Sequence, residues 1–372
     1  MQRCDVLIVG GGPAGSTCAQ SLRAAGADVV VLDKKVFPRE KPCAGWITPQ
    51  VIETLKLDIE AYCRTNVFQP LTGFRTGMMS GREVATHYER AVSFGIRRYE
   101  FDRYLLERSG AKHRLGEALK SLDRAGDRWI VNGQIDSALV VGAGGHFCPI
   151  AQRLGARLDR TASVVAAQEV EFEASPSDLA DGRIDPEIPE LFFCDDLKGY
   201  GWCFRKGNFL NIGLGRVESR EVSRHVSEFC RMLHDRGKIC GEIPSRFHGH
   251  AYQLYERTPP KLIDDGALLI GDAAGLAYPH SGEGIRPAVE SGAMAAEAIA
   301  AAAGDYSAAK LDSYRQRVVA RYGAPRANGP TDWLPAGWLH SFAARLMASR
   351  WFARKVVLDR WFLHAREPAL NS

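Results

Sequence analysis

The stretch DVLIVGGGPAGSTCAQ, from Asp5 to Gln20, decides the fold of this 372-residue chain. Val6–Val9 is a continuous apolar run, the pattern of a parallel strand covered on both faces. Gly10, Gly12 and Gly15 follow as G-x-G-x-x-G, and Pro13–Ala25 then reads as a helix that Gly26 ends. The first glycine makes the turn, the second lets backbone approach a pyrophosphate, and the third lets the helix pack close on the strand. The anion rests on free N–H groups where Pro13 and Ala14 open the helix, favoured by the helix dipole. Val29–Leu32 is a second buried strand. Asp33 ends it, followed by Lys34, where a carboxylate accepts hydrogen bonds from a ribose. These residues predict a bound dinucleotide without saying which one.

Composition sets limits around this loop. Apolar residues make up 45% of the chain and charged residues 25%, the balance of an ordinary globular protein. This length allows two domains, or one large domain with an elaboration. The formal charge of +4 is mild and both signs are mixed along the chain, so no nucleic-acid partner is expected. The nine cysteines are odd in number and show no CxxC pair, which points to reduced thiols in a cytosol. Zinc-ligand spacing is absent, and His248 and His250 alternate on one strand face without a third ligand, so no metal site is expected. The amino terminus reads as a buried strand, not a signal peptide. No apolar stretch reaches the roughly 18–20 residues of a membrane span. A cytoplasmic protein is expected, with any membrane contact peripheral and at the inner face.

Apolar strands running into glycine recur at Ala138–Val141 and Ala267–Ile270, so one parallel sheet draws on distant parts of the chain. Between them, Val67–Ser93 and Val164–Pro260 alternate in the manner of an antiparallel sheet with one buried face. The acidic, proline-bearing SPSDLADGRIDPEIPE, residues 175–190, reads as an exposed loop with the character of a lid.

A second stretch, LLIGDAAGLAYPHSGEGIRPAVESG from Leu268 to Gly292, chooses between dinucleotides. Its strand runs into Gly271 and delivers Asp272 to the carboxyl end of the sheet, where a carboxylate can accept from a ribityl hydroxyl. Gly282, Gly284 and Ile285 then open another helix, whose first N–H groups can face the negative charge of a reduced flavin ring. Two helix starts suit a long, buried FAD better than a transient nicotinamide. Arg98 stands three residues before Phe101–Asp102 at a third helix start.

Together, G-x-G-x-x-G with Asp33, Arg98-x-x-Phe101-Asp102 and the GDAAG…P…G-x-G-I segment resemble FAD-dependent oxidoreductases of the aromatic-hydroxylase type. Within that superfamily, FPREKPCAGW (Phe37–Trp46) and YGWCFRKGNFLNIGLG (Tyr200–Gly215) are similar to geranylgeranyl reductases. That family carries Lys-x-Cys-Gly-Gly and Tyr-x-Trp-x-Phe-Pro motifs. The resemblance covers about residues 1–300. It implies an α/β fold: a FAD-binding doubly wound parallel sheet, an inserted antiparallel-sheet substrate domain and a helical C-terminal tail. The boundaries it suggests are 1–66, 94–163 and 261–310 for the FAD-binding domain, 67–93 and 164–260 for the substrate domain, and 311–372 for the tail. It further implies FAD reduced by NAD(P)H or another donor, and saturation of isoprenoid double bonds. Cys43, Ala44 and Gly45 then lie near the flavin, with Cys43 as a proton donor and His280 as a second candidate. Three departures stand out: Ala44 replaces a family glycine, Arg205 a proline, and Gly144 the aspartate of Gly-Ala-Asp-Gly.

On the substrate side, Tyr200, Trp202 and Phe204 point to one face of a strand. Alternation alone describes core packing; the resemblance makes them the wall of an apolar cavity. The tail carries Trp333, Trp338, Trp351 and Trp361, and from Asp332 to Glu367 six basic residues against three acidic. Such a helix docks on its own domain or lies in a membrane interface. The leading function is FAD-dependent reduction of C=C bonds in an isoprenoid or related apolar lipid. The alternatives are a flavin-dependent monooxygenase or halogenase acting on an aromatic or quinone-like substrate, and a flavin-binding protein without turnover.

Overall fold

The computed structural model describes residues 1–156, 164–217, 221–255, 261–323 and 345–370. Its first sheet is assembled from remote segments. Ala267–Leu269, Ile135–Gly142, Gln2–Val9, Val29–Asp33 and Lys112–Leu115 lie side by side and parallel. Val6, Leu7 and Ile8, Val29 to Leu32 and Leu139 to Val141 have no solvent exposure. Each such side chain contributes about 1.5–3 kcal/mol of burial, which is why these runs are apolar without alternation.

Two helices cover the site end of this sheet. Pro13–Ala24 starts at Gly12, and Ile285–Ala301 starts at Gly284. They approach so closely that a Cβ on Gly292 would stand 2.4 Å from the Ala14 carbonyl oxygen and 3.2 Å from the Cys18 amide. The alanine-rich sequence of the second helix is therefore a packing surface. A third helix, Ala308–Tyr322, is tied to it by Arg321 and Tyr322, which both bond the buried Glu290 carboxylate.

The second sheet has seven strands in the order His248–Gln253, Val164–Glu173, Phe209–Val217, Gly199–Lys206, Glu190–Phe193, Gly73–Met78, Glu83–His87. Neighbours are antiparallel except Glu190–Phe193 with Gly73–Met78. Its outer face packs Ile212, Leu214, Cys203 and Phe192 under the helix Val222–Asp235, chiefly against Phe229. Its inner face meets the first sheet's loops. Trp46–Ile47, Ser93–Ile96 and Phe68–Leu71 form a small third sheet at the junction.

One expectation changes. Residues 175–190 are no free loop: Pro176–Asp181 is a short helix capped by Ser175. Ile184 and Ile188 are buried, and Glu187 and Pro189 carbonyls accept from Thr72, Gly73 and Arg75. Backbone bonds of that kind fix the segment to the outer sheet, so it is not a lid. The C-terminal tail docks where it is described, with Ala353, Val357, Leu358 and Phe362 fully buried. The spacing of those four fits the π-helical winding of Ala353–Phe362, which closes with the Leu363 N–H on the Leu358 carbonyl. Arg286, itself without exposure, holds the tail's end through the carbonyls of Glu367 and Pro368. Trp333 and Trp338 lie outside the described residues.

Gly292→Ala is expected to force the two helices apart, costing about 1–3 kcal/mol as overpacking does. A lowered melting temperature together with weakened flavin retention would show it; an unchanged melting temperature would contradict the close approach.

Candidate active site

The glycine loop is built as its spacing requires. Gly10 has φ +119°, and a Cβ there would lie 2.3 Å from the Ala143 carbonyl oxygen. On Gly15 a Cβ would lie 1.9 Å from the Gly10 oxygen. Gly12 differs: a Cβ would meet only the end of the Arg39 guanidinium, at 3.4 Å. Two glycines thus serve packing, and the middle one keeps the open side clear for a ligand. No side chain caps the helix that Pro13 and Ala14 begin, so its first N–H groups are available. Asp33 braces the loop, accepting from Gly11 N–H and Lys35 N–H at 2.8 Å each. A carboxylate has capacity beyond two bonds, so a ribose can still be bound. Lys34 is exposed just past it. These residues fit the pyrophosphate and ribose of FAD.

The second loop stands beside it. Gly271, with φ +60°, places a would-be Cβ 3.0 Å from that of Ala14. Gly284 lies directly under Asp272, 3.0 Å from Oδ1 by the same measure, and no side chain caps the helix that Ile285 starts. Gly282, with φ +67°, leaves room for the Tyr252 hydroxyl, which a Cβ would meet at 2.2 Å. Asp272 faces His250, whose Nε2 is 3.6 Å from Oδ2, while Lys41 Nζ lies 3.0 Å from His250 Nδ1. Burial opposes the Asp272 charge, but His250 and Lys41 outweigh it and hold the carboxyl below its usual range. Burial also lowers His250, and pushes Lys41 down to about 8 although Asp272 resists. Lys41 Nζ also lies 2.8 Å from His250 Nε2, so at neutral pH an ammonium, a neutral imidazole and a carboxylate are gathered in one cluster.

Cys43 is half-buried next to this triad. Its Sγ accepts the Gly45 N–H at 3.4 Å. Gly45, at φ +64°, cannot be replaced: a Cβ would stand 2.4 Å from both Ile96 O and Lys206 Nζ. Ala44 packs at the edge of the aromatic cluster. Arg98 is buried. It forms a two-point pair with Asp102 at 2.7 and 2.8 Å, and Arg39 joins Asp102 at 3.1 Å. Burial works against the Arg98 charge, but Asp102 and then Cys43 more than offset it and raise its pKa.

The inner face of the second sheet closes over these loops, and its register divides it. Tyr200, Trp202, Phe204 and Lys206 pair with Gly215, Gly213, Asn211 and Phe209; Gly213 and Asn211 pair in turn with Glu169 and Glu171. Directly paired residues share a face, so the aromatic row and the acidic row lie side by side. Asn211 joins them: its Oδ1 accepts from Trp202 Nε1 at 2.7 Å, and its Nδ2 donates to Glu169 Oε2 at 2.6 Å and to the Cys43 carbonyl at 3.1 Å. Lys206, also buried, pairs with Glu171 at 2.8 Å.

Here the aromatic wall departs from expectation. Trp202 and Phe204 are core, and the described tail fills the space above them. Phe362 stands edge-on to Tyr200 at 5.2 Å and to Trp46 at 5.5 Å. The Tyr200 hydroxyl bonds the Ser281 carbonyl. His280 is exposed and its ring lies flat on Trp361, 5.2 Å away, where the tail docks. Arg205 ends its strand by donating to the Gly207 carbonyl at the hairpin turn.

The FAD binding domain family matches residues 3–324. The chain belongs to that family. A menaquinone reductase of Mycobacterium tuberculosis is 30% identical over 79% of this chain and 76% of its own length. A digeranylgeranylglycerophospholipid reductase of Methanocaldococcus jannaschii is 28% identical over 84% and 81%. The fold is that of a geranylgeranyl bacteriochlorophyll reductase-like protein of Thermoplasma acidophilum, with TM-score 0.74 and 20% identity over 93% and 91%. The protein is a FAD-dependent oxidoreductase of the geranylgeranyl-reductase type.

For this flavoprotein the sequence motifs assign no role to Glu169, Asn211 or His250, and Lys41 and Lys206 fall inside quoted motifs without being singled out. Glu169 carries only a parity signal: it sits on the odd set of Val164–Glu173, whose even set is mostly apolar, which ordinarily marks a solvated face.

Gly12→Leu should purify colourless yet keep close to the melting temperature of flavin-stripped wild type, because its side chain enters the ligand's space and not the core. Retained yellow colour would show the pyrophosphate lies elsewhere. Lys41 gives a second check. Its folded pKa lies below the unfolded 10.5, so the native state holds fewer protons between about 8 and 10.5. Stability relative to Lys41→Met should therefore rise with pH across that window and be flat below it.

Proposed function

We propose that this protein reduces carbon–carbon double bonds of an isoprenoid or related apolar lipid with FAD, which NAD(P)H or another donor reduces. FAD, when bound, supplies the two-electron chemistry; the protein's residues bind, orient and supply a proton. The carrying observation is the place of Cys43: it packs beside the helix that Ile285 starts and lines one pocket with Lys41, Arg98, Glu169 and Asn211. The loop at Gly12 holds the pyrophosphate end, and the helix start at Gly284, with Asp272, the ribityl and ring end. Tyr200, Trp202 and Phe204 exclude water from the reacting side. The Cys43 thiol gives its proton to the carbon that hydride does not reach. Relatives named for reducing menaquinone and geranylgeranyl lipids support an apolar substrate.

Among the described residues no helix is long and apolar enough to cross a membrane. We place lipid delivery at a bilayer surface met by the tail, where Trp351 is 68% exposed. Trp351→Ala should then lower sedimentation with anionic vesicles without altering flavin content.

The deciding experiment is anaerobic. The bound flavin is reduced, prenyl lipids are added, and reoxidation is followed with the product's mass. A saturated product carrying two added hydrogens supports the reading; rapid oxygen consumption with a hydroxylated product replaces it with oxygenation. Cys43→Ala should leave flavin reduction by the donor intact and slow lipid reduction by about 100-fold or more. Equal lipid reduction in that variant would remove Cys43 from the chemistry.

A further inference from the structure

We propose that Glu169 is the buried acid that returns a proton to Cys43 in each turnover, an inference that rests on the reading above. Glu169 is 5% exposed and lies in the middle of the sheet face that covers Cys43. A cavity of about 10 Å³, close to the room one water needs, is lined by Cys43, Arg98, Glu169, Glu171 and Asn211. Glu40, Lys41 and Tyr99 complete its wall. A water in this space would bridge the thiol to the carboxyl, and the Asn211 amide holds the Glu169 carboxyl and the Cys43 backbone carbonyl on either side of it.

The two acids of the row are driven apart. Burial pushes Glu169 up to about 8; Lys206 opposes this, and Glu171 and Glu40 add to it. Glu171 is buried as well, yet Lys206 and Arg97 hold it ionised below the usual carboxyl range. His248 faces Glu169 from the adjoining strand. One carboxyl is thus kept protonated at neutral pH beside another that is not, the pattern that separates an acid from an electrostatic partner. Nothing in the ion-pair network needs Glu169 neutral; a proton store does.

The step balances. Reduced FAD, when bound, would supply the two electrons and hydrogen for a new C–H bond at one alkene carbon as the π bond breaks. The other carbon takes the proton of the Cys43 thiol. The resulting thiolate takes a proton through the bridging water from Glu169. The carboxylate is reprotonated from solvent, so each turnover adds one hydride and one proton to the lipid. Glu169 acts through Cys43 and is a positioning and proton-supplying residue, not one that touches the lipid.

The test uses the full-length holoenzyme. Wild-type lipid reduction should fall above pH about 8 as Glu169 ionises. Glu169→Gln should be slower by about 10- to 100-fold and lose that fall, and Glu169→Asp should restore it. Lys41 and Glu283 also titrate near pH 8, and because Glu169 is the source of the fall, Lys41→Arg and Glu283→Gln should keep it. A second readout needs no turnover. The native state holds the Glu169 proton between about 4.5 and 8, so wild-type stability relative to Glu169→Gln should decline as pH rises through that window. Wild-type rate and an unchanged alkaline fall in Glu169→Gln overturn the proposal. If Glu169→Gln loses flavin, a wild-type rate that does not fall above pH about 8 overturns it. A wild type that reduces no prenyl lipid instead overturns the functional reading and leaves the stability comparison to report on Glu169 alone.

Discussion

The close approach of two helices is the constraint on which the site depends. Gly292 lets Ile285–Ala301 settle against the Ala14 carbonyl of Pro13–Ala24. The contact fixes the spacing between Gly12 and Gly284, because each marks the start of one of those rigid elements. Both starts carry uncapped N–H groups and the positive end of a helix dipole. One extended, doubly anionic cofactor satisfies both. A wider crossing would leave two separate anion sites, and a pyrophosphate held at one end would no longer bring a ring to the other.

The second sheet then works as a cover with two chemistries. Its aromatic row removes water, which strengthens every charge interaction beneath it. Its acidic row brings Glu169, Glu171 and Lys206 into that same poorly solvated space. Buried ions are costly unless paired. Most here are paired: Lys206 with Glu171, Arg98 with Asp102, Arg286 with Glu290. Desolvation falls on the groups that pairing does not rescue, Glu169 and Lys41, and it shifts them toward neutral pH, where proton transfer is useful. The tail contributes by filling: Phe362 occupies the hollow between Tyr200 and Trp46, and Arg286 clamps the chain that carries it.

Sequence by itself determined the nucleotide half. The period of the strands, the glycine spacing and the position of Asp33 are local properties, set by backbone sterics and by burial on both strand faces, and they predict the loop almost residue by residue. The flavin assignment from Gly271 to Ile285 rests on the same local logic. Tertiary structure decided the rest. Whether an alternating acidic strand faces water or a covered site depends on what packs above it. For Glu169 and Glu171 that partner is the Cys43 loop, more than a hundred residues distant. Residues 175–190 read as a free loop because their anchors lie on remote strands. Period and propensity are carried by neighbours along the chain. Desolvation, and with it the pKa of a carboxyl, is set only by neighbours in space.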